Sequence, residues 1–182
     1  MSYRIARMRG PAIWGAALAA AIASPVLAAD GSLLAYVGQC VPFAREASGI
    51  RIYGDAWTWW DQARGRYERG DTPRIGAVIV FAKTARLPLG HVAVVSHVVE
   101  KRVVMLTHAN WSRRGGIETD VRAIDVSPAG DWSVVKVWYG PQGDLGTSSY
   151  PTRGFIYADH GPTPLPPLQF ARIGITTDNV AG

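Results

Sequence analysis

The sequence predicts an α+β fold in which N-terminal helices pack on an antiparallel β-sheet, and three observations predict it. Helical periodicity is confined to residues 40–64, strand-like β-branched runs follow one another over residues 77–139, and no second block of helices separates those runs. The 182 residues are 48% hydrophobic and 18% charged, which is enough apolar material for one domain with its own core.

The first 28 residues stand outside this domain. Arg4, Arg7 and Arg9 precede an apolar run over residues 12–23, which Ser24 and Pro25 interrupt ahead of the small residues Ala28 and Ala29. That order is expected of a cleaved signal peptide, and the run is shorter than the roughly 20 residues a membrane-spanning helix needs. The mature chain is therefore expected to be exported, periplasmic or secreted, with no stable membrane anchor. Cleavage removes three arginines and no acid, so the formal charge falls from +5 by three to +2. No dense Lys/Arg run survives, which argues against a nucleic-acid partner.

The domain proper is expected over residues 30–140. A first helix starts at Cys40, accommodates Pro42 in its first turn and stops at Gly49. A second follows Asp55 as N-cap and runs to Gly65; its Trp57, Trp59 and Trp60 cannot all face one side. Residues 77–81 form a short buried strand. Residues 91–99 and 103–109 form a hairpin around Glu100, Lys101 and Arg102, and residues 117–126 and 132–139 supply two more strands. From Pro141 the chain is rich in Pro, Gly, Ser and Thr and lacks periodicity, so residues 141–182 are expected to be an extended or disordered tail.

Cys40 is the single cysteine, and a lone thiol in an exported chain has no disulfide to form. Its place at a helix N-terminus suits a thiolate, which the positive end of the helix stabilises. A neighbouring imidazole would accept the proton and complete a thiolate–imidazolium pair. Of the four histidines, His160 lies in the irregular tail. Alternation puts His91 and His97 on one strand face but about 20 Å apart, so only one can meet the thiol. On the next strand His108 and Asn110 also share a face. A turn closing over Glu100 and Lys101 would place Asn110 opposite His91; a bulge or twist would bring His108 in instead. Simple register favours Asn110 as the group that orients the imidazole.

The residues Gly38-Gln39-Cys40-Val41-Pro42, Gly54-Asp55-Ala56, Gly90-His91-Val92 and Asn110-Trp111 resemble the CHAP family, the cysteine, histidine-dependent amidohydrolase/peptidases. The resemblance implies a papain-like arrangement with Cys40 as nucleophile, His91 as general base and the backbone N–H of Cys40 in the oxyanion hole. It also implies Gln39 and Trp111 at the substrate, no metal and no cofactor. Family members often carry an acidic residue two places before the Asn, where this chain has His108, so the third catalytic member is either Asn110 or His108. The implied activity is an amidase or endopeptidase acting on peptidoglycan or a muropeptide. The alternatives are an amidase for another small amide and a non-catalytic wall-binding module; nothing identifies a regulatory partner.

Overall fold

The computed structural model describes residues 38–158, so the expected signal peptide and His160 lie outside the described residues. Helix α1 spans Cys40–Ser48. Its stop is the one expected: Gly49 takes the left-handed conformation at φ 75° and donates its N–H to Arg45 O at 3.0 Å. The second helix is shorter than expected, a 3-10 turn over Ala56–Thr58 followed by one α turn, α2, over Trp59–Gln62. Asp55 precedes it without capping it by its side chain, which instead accepts from Trp57 Nε1 at 3.3 Å. Among the described residues no helix is long and apolar enough to cross a membrane.

Among the described residues eight antiparallel strands follow: β1 (Glu68–Gly70), β2 (Val78–Phe81), β3 (His91–Glu100), β4 (Val103–Ala109), β5 (Ile117–Asp125), β6 (Val134–Tyr139), β7 (Asp144–Leu145) and β8 (Tyr150–Tyr157). They are ordered β1-β8-β2-β3-β4-β5-β6-β7, and β8 pairs with β6 as well as with β2. That second pairing, Val134 with Pro151 and Val135 with Tyr150, closes six strands into a barrel.

The expected papain-like fold, with N-terminal helices packed on an antiparallel sheet, is therefore corrected. Strands make up 40% of the described residues and helix only 16%, and the sheet returns on itself. The strand that closes it lies in the segment expected to be an extended or disordered tail. Pro151 and Gly154 hide it from a pattern search, because Pro withholds a ladder N–H and Gly breaks the alternation of side chains. Pro151 sits where β8 meets β6. Gly154, at φ 116°, allows close backbone approach, since a Cβ there would come within 2.5 Å of Gly70 O. Closure satisfies both long edges of the sheet, which an open arrangement would leave as unpaired N–H and C=O groups.

Alternation divides the apolar residues into two layers. Ile79, Phe81, Ala93, Val95, Leu106, Val135 and Phe155 fill the barrel interior. Val78, Val80, Val92, Val94 and Ile156 face outward and are covered by Ala44, Ile50, Ile52 and Trp59 from the helical segment. Strand β2 is buried on both faces, which is why its sequence reads as a continuous apolar run. Each such side chain contributes about 1.5–3 kcal/mol by leaving water. The starts of β3, β5 and β8 and the ends of β2, β4 and β6 all lie at one end of the barrel, and the candidate site is built there.

Candidate active site

Cys40 is the first residue of α1 and is partly buried. Its thiol lies by the backbone N–H of Val92, the residue after His91, and by those of Val41 and Cys40 itself. Burial pushes the thiol above its ordinary pKa, and these N–H groups pull it down by less. Burial thus opposes the thiolate that the helix position favours.

Gly90 places the histidine that follows it. At φ 68° it brings the chain so close to the 3-10 turn that a Cβ would lie 2.7 Å from Trp57 N, while Trp57 N donates to Leu89 O at 3.1 Å. His91 then enters β3 paired with Phe81 across the ladder and is only 3% exposed. Burial and the neighbouring His108 hold its imidazole well below the ordinary pKa.

His91 Nε2 lies 3.0 Å from His108 Nδ1. His108 is fully buried, and its Nε2 lies 3.3 Å from Glu118 Oε2, a close polar contact that does not meet hydrogen-bond geometry. Burial lowers the pKa of His108, and the Glu118 carboxylate opposes that shift. At Glu118 burial works upward, but the facing His108 and the hydrogen bond from Ser112 together outweigh it and hold the carboxyl below its ordinary value. Ser112 N donates to Oε2 at 3.1 Å. The His91–His108 contact takes either tautomer; with the His108 proton on Nε2 toward the carboxylate, its Nδ1 accepts from His91 Nε2. His91 Nδ1 is then left unprotonated, as a base requires.

Asn110 does not make this bond. The β3–β4 ladder ends with Val94 opposite Thr107, and β4 itself ends at Ala109. Asn110 turns into the left-handed region at φ 63°, where its Nδ2 donates to Gln39 Oε1 at 3.0 Å and its Oδ1 accepts from Gly115 N at 2.9 Å. Sheet twist brings the diagonal neighbour His108 to His91 in its place. His97 is also elsewhere: a bulge between Val95 and His97 shifts the register, and His97 faces solvent with Nδ1 3.3 Å from Asp120 Oδ1. Gln39 is exposed beside Cys40. Trp111 covers the two histidines, stacked on His108 at 5.5 Å and tilted over His91 at 4.8 Å, and is anchored by its Nε1 donating to Trp138 O at 2.9 Å.

Glu118 is the member that the sequence reading missed. It stands directly across the β4–β5 ladder from His108, so the acid absent from the His108 position is supplied from the adjacent strand. The signal available was Gly115-Gly116 ahead of a new strand, a hairpin whose pairing sets position 118 against 108. Among the described residues no group of three or more His, Cys, Asp or Glu is arranged to hold a metal ion.

Residues 30–110 match the family model for the CHAP domain. The match ends before Glu118 and before β5 to β8. No curated protein matches the chain.

Proposed function

We infer that this chain, which carries a CHAP domain of the cysteine/histidine amidohydrolase/peptidase type over residues 30–110, is an exported hydrolase of peptidoglycan amide bonds, acting as an amidase or endopeptidase. The observation that carries the reading is the run from His91 through His108 to Glu118, set at one end of the barrel with the thiol of Cys40 at the backbone of Val92. Export rests on the basic, apolar and small-residue order of residues 1–28.

In this reading Cys40 begins as a neutral thiol. His91 Nδ1 removes the proton as sulfur attacks the amide carbonyl, and the backbone N–H of Cys40 meets the developing oxyanion. The imidazolium that forms is stabilised by His108, which Glu118 holds in the accepting tautomer; it then protonates the departing amine. Water, activated by the same imidazole, releases the acyl group from sulfur. A His in the orienting position is a departure from the acid often found there, and Glu118 restores the negative charge one residue further along.

The test is mass spectrometry of the fragments released from purified peptidoglycan. Stem peptides freed from the glycan identify an amidase, and cut stems or cross-bridges identify an endopeptidase. Release of neither overturns the reading.

A further inference from the structure

A second feature occupies the same end of the barrel. A cavity of about 440 Å³ opens beside Trp111 and is also lined by Arg86, Tyr139, Gln142, Ser148 and Tyr150. Trp111 is its shared wall with the candidate active site: the indole lies 4.8 Å from the His91 ring and 4.9 Å from the Tyr150 ring. No Asp or Glu lines the cavity. The nearby carboxylates are committed elsewhere, Glu118 to His108 and Asp144 to Arg122 at 2.8 Å. Arg86 has no ion-pair or hydrogen-bond partner among the described residues, and neither do the side chains of Gln142 and Ser148.

We propose that this cavity is a substrate subsite for a carboxylate, with Arg86 as its charged partner and Trp111 and Tyr150 packing the apolar part of the residue that bears it. The proposal rests on the peptidoglycan reading above, in which stem peptides supply free carboxylates close to the scissile amide. A guanidinium presents a planar fork that matches a carboxylate in two parallel hydrogen bonds. The arrangement therefore selects an acid over its amide: the amide offers one acceptor and no charge, and its NH2 group would face the donors of Arg86. Amidation of the stem carboxylates would lower the susceptibility of the wall to this protein.

The experiment uses the Cys40→Ala protein, so that binding is read without turnover. It is titrated by NMR with the stem tripeptide L-alanyl-γ-D-glutamyl-diaminopimelate and with the same peptide carrying amidated carboxylates. The expected result is tighter binding of the acid by about tenfold or more, with a shift of the Trp111 indole N–H signal. Adding Arg86→Ala collapses that preference to near one, and Arg86→Lys retains part of it. Equal binding of acid and amide, a preference that persists in Arg86→Ala, or no binding of either peptide overturns the subsite. These outcomes are separate from fragment release by the wild-type protein, whose failure overturns the functional reading instead.

Discussion

His108 and Glu118 face each other across the β4–β5 ladder, with His108 Nε2 3.3 Å from Glu118 Oε2, while the opposite ring nitrogen of His108 lies 3.0 Å from His91. One buried imidazole thus joins His91 to a carboxylate on a third strand. The geometry gives His108 and Glu118 consequences that Asn110 does not share.

Replacing His108 by Ala removes the acceptor for His91 Nε2–H and frees the imidazole to adopt the wrong tautomer. Turnover should fall about 100-fold, equivalent to ~2.7 kcal/mol of barrier. Asn110→Ala, which loses bonds to Gln39 and Gly115, should cost less, and His97→Ala should leave turnover within about twofold. Steady-state kinetics on the three variants checks the order. A larger loss in Asn110→Ala than in His108→Ala would return the orienting role to Asn110.

Glu118→Gln keeps the shape and removes the charge. Its amide can turn an N–H toward His108 Nε2, which moves the His108 proton to Nδ1 and makes His91 Nε2 an acceptor. His91 Nδ1 would then carry the proton, the form that cannot act as a base. Turnover should drop at least tenfold, and the imidazole nitrogen NMR signals of His91 should exchange their protonated and unprotonated positions. Unchanged signals together with unchanged turnover would remove Glu118 from the account.

The pKa shifts fix the direction of two pH responses. His91 and His108 are held below the ordinary imidazole value in the folded protein, so below about pH 6.5 the unfolded chain binds protons that the folded chain does not. Stability should therefore be full above that pH and decline as pH falls from it toward the folded values, by up to about 1.4 kcal/mol per pH unit for each histidine. Urea unfolding of wild type and His91→Asn over pH 5–8 checks this, with a shallower decline expected in the variant. Cys40 is raised by burial, so its alkylation by iodoacetamide should be slow at neutral pH and accelerate with a midpoint above the ordinary thiol value. Rapid, pH-independent labelling at pH 6–8 would indicate a preformed ion pair instead.

Gly154→Val should destabilise the domain by more than about 2 kcal/mol, because its φ of 116° and its approach to Gly70 O leave no room for a side chain. Thermal unfolding checks this, and a melting temperature within a degree of wild type would mean that barrel closure tolerates the change.

Helix α1 was legible in the sequence because its stop is a local event, a glycine in the left-handed conformation. Strands β2 to β6 were legible because β-branched residues recur in short runs between turn residues. Strand β8 was not, since Pro151 and Gly154 carry the local signature of a loop and are held in a strand by pairing with β2 and β6. At the site, Cys40 and His91 stood out by residue type and by their neighbours. The choice between Asn110 and His108 depended on where the β3–β4 ladder ends and how far it twists, and Glu118 depended on the register of a further hairpin. Both are long-range outcomes that alternation along one strand does not contain.

The central claim is that Cys40 forms the covalent bond to the substrate with the His91–His108–Glu118 run behind it. Its most direct test is the intact mass of the protein, acid-quenched during digestion of purified peptidoglycan. The account predicts an adduct equal in mass to a released acyl fragment on the wild-type protein. It predicts neither adduct nor released fragments from Cys40→Ala, whose circular dichroism and unfolding should match wild type. Undiminished fragment release by a folded Cys40→Ala protein would contradict it.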